Sequence, residues 1–336
     1  MRVAVTGGAG YIGSHTVVEL LEAGHDVLVL DNFANAAADV PDRVEQLTGR
    51  CAEVVRVDIT NKDALTDALR DFGPDAVLHF AGLKAVGEAV AQPLEYYRVN
   101  VTGSLNLLQA MEEIGCTKLV FSSSATVYGD PDVVPIPEDH PLRPTNPYGH
   151  SKRMIEQVVE DWGVANPKVS AINLRYFNPV GAHASAQLGE SPKGAPNNLM
   201  PYVAQVAAGI RPKLSVFGDD YDTPDGTGVR DYIHVVDLAR AHIAALTRTT
   251  QKTGVEPINV GTGRGYSVLE MIKAFENASG TSVAYEVTAR RAGDIATSLA
   301  DPTNAADQLG WHAERDLDDM CQDAWAWQTY LAGKNA

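Results

Sequence analysis

In the first half of the chain, short and almost wholly apolar runs alternate with longer stretches of helical period. Val3–Thr6, Val27–Leu30, Val54–Val57, Ala76–Phe80 and Leu119–Ser122 read as strands. Between them, Tyr11–Ala23 carries Ile12, Thr16, Leu20 and Leu21 on one side, and Gly24 is a natural C-terminal stop. Lys62–Asp71 and Leu94–Ile114 repeat the helical spacing. Strands that alternate with helices pair in parallel through right-handed crossovers, and strands apolar on both faces need cover on both. The pattern predicts an α/β fold with a doubly wound parallel sheet of Rossmann type.

The texture changes after Phe177. Residues 178–198 are rich in Gly, Pro, Asn and Ser, and residues 218–228 in Gly, Asp and Thr, so both read as loops. Helical patterns return at Val235–Thr247, Val268–Ala278 and Leu317–Leu331. The expected division is a first domain over 1–177 and a smaller mixed α/β domain over most of 178–336. A segment near 231–262 is expected to return to the first domain.

Composition narrows the class of function. With 45% hydrophobic and 21% charged residues over 336 positions, the chain is neither disordered nor fibrous and can bury a large core without disulfides. A formal charge of −16 argues against nucleic acid and anionic membranes as partners, and requires any anionic ligand to find a local basic pocket. Three widely spaced cysteines, Cys51, Cys116 and Cys321, form no metal or disulfide pattern, which points to a reducing, cytoplasmic compartment. The sequence shows no apolar run of membrane-spanning length and no signal peptide. His183, His234 and His242 lack the spacing of a metal site, so no metal is expected.

Candidate chemistry begins where the first strand meets the first helix. Gly7-Gly8-Ala9-Gly10-Tyr11-Ile12-Gly13 fits a glycine-rich phosphate loop through Gly7, Gly10 and Gly13, and equally through Gly8, Gly10 and Gly13. Such glycines let the backbone approach a pyrophosphate, which the helix N-terminus then attracts, with Tyr11 and Ile12 at the helix start beside it. Asp31, followed by Asn32, ends the second strand about twenty residues after the last glycine, where a carboxylate accepts from ribose hydroxyls and repels a 2′-phosphate. NAD is therefore expected over NADP. Asp58, followed by Ile59, ends the third strand and suits either an adenine contact or a helix N-cap. Phe80-Ala81-Gly82, ending the fourth strand, leaves room for a cofactor, and Lys84 lies within reach of a phosphate, a ribose or a substrate.

A second constellation suits proton transfer. Tyr148 and Lys152, four residues apart, share one face of a helix. A neighbouring ammonium favours the phenolate, whose reference pKa is about 10, and so makes a proton acceptor. Ser122-Ser123-Ser124 ends the fifth strand, on the side where doubly wound sheets bind ligands; Ser124 is placed to bond an alcohol oxygen and Ser122 to face the cofactor.

At these residues the chain resembles the extended short-chain dehydrogenase/reductase family. Further motifs are similar to those of its nucleotide-sugar 4-epimerases: Ser122 to Gly129, Arg175 to His183, Pro196 to Pro201, Asp225 to His234 and Arg290 to Asp294. The resemblance implies an isomerase that interconverts UDP-glucose and UDP-galactose by transient oxidation at C4, with tightly held NAD. It implies Ser124 and Tyr148 at the C4 hydroxyl and Lys152 tuning Tyr148 and holding the nicotinamide ribose. Tyr176, Asn178, Asn198 and Leu199 would line the sugar and diphosphate region, with Phe177 between it and the cofactor. Arg230 and Arg291 would clamp the diphosphate, Asp294 would accept from the uridine ribose and Phe217 would border the uracil. A small residue at Ser298, where family members with a tight pocket carry tyrosine, implies room for the N-acetyl group of UDP-GlcNAc and UDP-GalNAc. A homodimer through helices around 90–114 and 148–163 is also implied. In Tyr96-Tyr97-Arg98-Val99-Asn100 one asparagine stands where some relatives have two, so no cofactor contact is assigned to Val99.

Three other readings stay open at this level. A 4,6-dehydratase on the same scaffold needs an acid and a base beside the serine, whereas Ala125-Thr126-Val127 follows Ser124. A pentose or uronate 4-epimerase is poorly separated by these motifs. A non-catalytic NAD-binding regulator would have no use for an intact Ser–Tyr–Lys set.

Overall fold

The computed structural model describes residues 1–334 apart from 193, 195 and 292. Seven parallel strands form the main sheet. Its order is Gly254–Val260, Ser170–Tyr176, Lys118–Ser122, Ala76–His79, Arg2–Thr6, Asp26–Asp31 and Glu53–Arg56. The chain winds outward from Arg2–Thr6 in one direction and then, from Ala76–His79 onward, in the other. The switch falls between those two strands, and in open α/β sheets ligands bind beyond the strand ends at that point.

Helices cover both faces. Tyr11–Glu22 and Val235–Thr249 pack with Val3, Val5, Val29, Leu78 and Ile172 on one face. Leu65, Leu69, Leu107, Met111, Ile155 and Val159 pack with Ala4, Leu28, Val77 and Phe121 on the other. The apolar runs Val3–Val5, Val27–Leu30 and Ala76–Leu78 follow from this double burial. The seventh strand, Gly254–Val260, pairs with Ser170–Tyr176 although it lies almost eighty residues further along the chain.

The smaller unit is built around Val229–His234. Gly265–Ser267 pairs antiparallel to it, and Asn178–Val180 and Thr297–Ser298 pair parallel. Leu214–Phe217 and Tyr285–Thr288 make a second, two-stranded parallel sheet. Helices Leu199–Ala207, Val268–Ser279 and Leu317–Lys334 close over a core of Val203, Tyr232, Met271, Phe275 and Met320.

The helices expected from spacing are present with ends shifted by a few residues, and one is interrupted. Leu94–Ile114 reads as continuous in sequence, but Tyr97–Thr102 is a π-helical turn between Pro93–Tyr96 and Gly103–Ile114. The turn carries Asn100, whose buried amide clasps the backbone of Leu83 (Nδ2 to Leu83 O 3.0 Å; Leu83 N to Oδ1 2.8 Å) and donates to Ser151 Oγ at 3.0 Å. Among the described residues no helix is long and apolar enough to cross a membrane.

Candidate active site

The loops at the C-terminal ends of Arg2–Thr6, Ala76–His79, Lys118–Ser122 and Ser170–Tyr176 converge. Gly7 packs so closely on the backbone of Ala81 that an added Cβ would stand 2.7 Å from Ala81 N. At Gly13 a Cβ would come within 2.2 Å of Gly7 O, so the first helical turn of Tyr11–Glu22 sits directly under the loop. Gly10 occupies the N-cap of that helix without a side-chain cap, leaving its first amides open toward the crevice. These are the requirements of a backbone cradle for a pyrophosphate.

Asp31 is almost fully buried at the end of Asp26–Asp31, where its carboxylate accepts from Ala9 N (3.0 Å) and Phe33 N (2.8 Å). Burial raises its pKa against the pull of those two amides. Asn32 donates to Asp58 Oδ2 at 2.9 Å, and Asp58 Oδ1 accepts from Thr60 N and Thr60 Oγ1. The N-cap of the following helix is Asn61, which accepts from Ala64 N, so Asp58 is free of the capping role considered from sequence. Ile59 is buried against Gly103. Phe80, half-buried, leans on the His242 ring at 4.6 Å between centroids.

Ser124 follows the strand end in extended conformation and caps the 3-10 turn Ala125–Val127, accepting from Thr126 N (3.2 Å) and Thr126 Oγ1 (3.0 Å). Thr126 therefore holds Ser124 from behind. Tyr148 lies in the first turn of Pro147–Ala165, whose Pro147 and Asn146 cap set the helix start one residue before it. The next residue, Gly149, lets the helix approach the serine loop; a Cβ there would lie 2.8 Å from Thr126 O. Tyr148 is buried among Ser124, Tyr176 and Tyr96. Burial first, then Tyr176, push its phenol well above the usual tyrosine value, while Ser124 pulls it down.

Lys152 sits one turn on, with its ammonium donating to Ser122 O at 2.9 Å. It lies 4.7 Å from the Phe121 ring centroid and 5.9 Å from that of Tyr148. Burial lowers its pKa to about 8, with Glu156 opposing. The sequence reading has this ammonium lower the Tyr148 pKa; within the chain alone burial is the largest influence and the phenol is raised instead. The Tyr176 phenol is likewise raised by burial, with Ser122, Lys84 and Tyr148 opposing. Ser122 Oγ is buried beside it without a hydrogen bond of full geometry.

The second sheet contributes the opposite wall. Asn178 begins the strand paired to Tyr232, and Phe177 is buried with Val127 and Tyr128. Asn198 occupies the N-cap position of Leu199–Ala207, yet its side chain does not cap; it donates to Glu190 Oε1 at 2.9 Å. Leu199 packs on the smaller core. Arg230 and Ser298 stand opposite each other in adjacent strands. The Arg230 guanidinium, among the described residues, donates to the main-chain oxygens of Val229 (2.9 Å) and Ala296 (3.3 Å) and to no carboxylate. Arg291 lies over the exposed Phe217 ring at 5.1 Å and pairs with Asp294 through Nε and Nη2. The diphosphate clamp and ribose acceptor expected from sequence are thus each other's partners here.

Some neighbours of the site carry no local sequence signal. Glu190, Asn100, Thr126 and Glu156 hold Lys84, Leu83, Ser124 and Arg175 respectively, and each pairing becomes visible only in three dimensions.

A phosphate cradle at the switch point of a doubly wound sheet, faced by a Ser–Tyr–Lys set, defines a dinucleotide-dependent enzyme of the short-chain dehydrogenase class. The chain belongs to the NAD dependent epimerase/dehydratase family, whose model matches residues 3–261. It is 56% identical over 329 residues to UDP-glucose 4-epimerase of Bacillus subtilis, covering 98% of this chain and 97% of that protein. It superposes on UDP-glucose-4-epimerase of Stenotrophomonas maltophila, solved with bound NAD and formylated UDP-arabinopyranose, with TM-score 0.98, 49% identity and 99% of each chain covered. Against the Bifidobacterium longum UDP-glucose 4-epimerase, solved with NAD+ and UDP, the TM-score is 0.95 at 51% identity and 98% of each chain.

Proposed function

We propose that this chain interconverts UDP-glucose and UDP-galactose by transient oxidation at C4. The observation that supports this reading is the gathering of Ser124, Tyr148 and Lys152 at the strand ends that also carry the glycine cradle.

The residues fit NAD: Gly7, Gly10 and Gly13 leave backbone room for a pyrophosphate, with Tyr11 and Ile12 at the helix start and Lys84 reaching toward it. Asp31, Asn32, Asp58 and Ile59 face the adenosine side, and Phe80, Ala81, Gly82, Ser122, Lys152 and Phe177 the nicotinamide side. When bound, NAD supplies a hydride acceptor and donor at C4. Tyr148 takes the O4 proton and returns it, and Ser124 bonds the same oxygen and relays. Arg230 and Arg291 grip the diphosphate through planar, permanently charged forks, with Asp294 at the ribose and Phe217 at the base. Lys84, Tyr176, Asn178, Asn198, Leu199 and Ser298 surround the hexose. Inversion at C4 needs the sugar to turn while the nucleotide stays fixed, so the binding energy belongs on UDP.

We assign cofactor binding to residues 1–177 with the returning segment near 231–262, and UDP-sugar binding mainly to 178–336. The exposed apolar side chains of Val90, Leu94, Leu105 and Met154 support a homodimer through the helices that carry them. The unpaired thiols of Cys51, Cys116 and Cys321 support a cytoplasmic location. The absence of a carboxylate pair after Ser124 favours epimerisation over dehydration.

Purified protein is to be incubated with UDP-galactose without added NAD and the products resolved. UDP-glucose is expected, and Tyr148→Phe is expected to lose conversion by at least about a hundredfold, the scale of a lost general acid–base group. Undiminished conversion by that variant rules Tyr148 out as the proton acceptor.

A further inference from the structure

Glu190 lies in the loop between Asn178–Val180 and Leu199–Ala207, with a side chain only 11% exposed. The loop is held at two points. Gly181, earlier in the loop, accepts from the Tyr11 hydroxyl at 2.7 Å, and Glu190 O accepts from Trp327 Nε1 at 2.9 Å. One carboxylate oxygen, Oε1, takes two donors from opposite walls: Lys84 Nζ at 2.7 Å and Asn198 Nδ2 at 2.9 Å. Lys84 comes from the loop after Ala76–His79 and Asn198 from the start of Leu199–Ala207.

The pair stands beside the start of the helix under the glycine cradle, with Lys84 Nζ 5.9 Å from the Tyr11 ring centroid. The Lys84 charge lowers the Tyr176 pKa, Tyr176 touches Tyr148, and the Glu190 charge raises the Tyr11 pKa behind burial. An ammonium has three N–H groups and an amide has two with a carbonyl, so both side chains keep hydrogen-bonding capacity after meeting Glu190. A carboxylate beside them repels a diphosphate and tolerates a neutral sugar. Among the described residues the Arg230 guanidinium donates to main-chain oxygens and to no carboxylate, which leaves its charge open to an anion.

We propose that Glu190 is a positioning residue for the hexose, aiming Lys84 and Asn198 at its hydroxyls and orienting the UDP-sugar with its anionic end toward Arg230. This rests on the functional reading above and adds to it a residue that sets substrate polarity without contacting the nucleotide.

The test is Glu190→Gln, read as KM for UDP-galactose against the inhibition constant for UDP. KM is expected to rise about tenfold, the order of one partly exposed charge-assisted hydrogen bond, with UDP inhibition within about twofold of wild type. Lys84→Met is expected to raise KM similarly, and the double variant to raise it by less than the product of the two single effects, since Glu190 also holds Asn198. An active wild type with an unchanged KM in Glu190→Gln, UDP inhibition weakening in step with KM, or additive effects in the double variant each overturn the proposal. If Glu190→Gln does not fold, the half-exposed Lys84→Met carries the same comparison: raised KM with UDP unchanged supports the proposal, and unchanged KM overturns it. A wild type inert toward UDP-galactose overturns the functional reading itself and this inference with it.

Discussion

Arg175 Nη2 stands 2.7 Å from Glu156 Oε2, with both side chains closed to solvent. The pair ties the strand Ser170–Tyr176 to the helix that carries Tyr148 and Lys152. Glu156 also accepts from Ser123 Oγ at 2.6 Å, and Arg175 Nη1 reaches Tyr128 OH and Glu138 O, while Tyr128 OH donates to Asn259. Ser123 is the neighbour of Ser124, so this network fixes the distance between the serine loop and the Tyr148 helix. The shared partners around it satisfy the charges that burial would otherwise leave bare.

Removing one member leaves the other charge buried without its counter-ion. Glu156→Gln is expected to lower unfolding stability by about 3–5 kcal/mol. Glu156→Gln combined with Arg175→Met is expected to recover part of that loss. Urea unfolding of both variants checks this, and a single substitution that costs less than the double one contradicts it.

Lys152 supplies a pH signature. Its folded pKa, about 8, lies below the ordinary lysine value of 10.5. Between those two values the unfolded chain holds a proton that the folded chain does not, so this residue makes stability rise with pH across that window. Below pH 8 it imposes its full cost. Relative to Lys152→Met, wild-type unfolding free energy should climb from pH 8 toward 10.5, and denaturant midpoints measured at each pH give the difference directly.

The acid side belongs to buried histidines. Burial lowers His15 and His79 to about 3 and His242 to about 4. His79 is held between Thr6 Oγ1 (2.6 Å) and Ser104 Oγ (2.8 Å), and His242 through Nδ1 to Leu238 O. Below pH 6.5 the unfolded state binds protons that the folded state refuses, so stability falls as pH falls, by about 1.4 kcal/mol per pH unit for each residue. His242→Leu should lessen that slope by one residue's share between pH 6 and 4.5. An unaltered slope would show that His242 charges freely in the folded state.

Tyr148 in cofactor-free protein should remain a phenol. With its pKa raised well above 10.0 by burial, the ultraviolet difference spectrum of wild type minus Tyr148→Phe should show no phenolate below pH 10. Loading NAD+, which brings a positive ring charge, is expected to shift that titration downward.

Ser298 tests the width of the sugar pocket. It sits opposite Arg230 in the paired strands and carries a small side chain. Wild type is expected to convert UDP-GalNAc as well as UDP-galactose. Ser298→Tyr should lose the first activity by roughly tenfold or more, the scale of a steric clash with one substituent, and keep the second. Wild type that ignores UDP-GalNAc would remove the basis of this assignment.

Sequence alone determined the doubly wound sheet, because strands buried on both faces must be continuously apolar and helices between them must repeat near every third or fourth residue. It also determined the glycine loop, Asp31, and the Tyr148–Lys152 pair, since each is a local spacing with a local physical reason. Tertiary structure alone decided which distant side chains meet. The choice of Ser170–Tyr176 as the partner of the returning strand Gly254–Val260, the clasp of Asn100 on Leu83, the pairing of Arg291 with Asp294 and the convergence of Lys84 and Asn198 on Glu190 join residues by packing. The direction of the Tyr148 shift belongs with them. Spacing puts an ammonium on the same helix face, but burial and the reach of Lys152 to Ser122 O depend on the segments of Tyr96, Ser122–Ser124 and Tyr176, and no period in the chain encodes them.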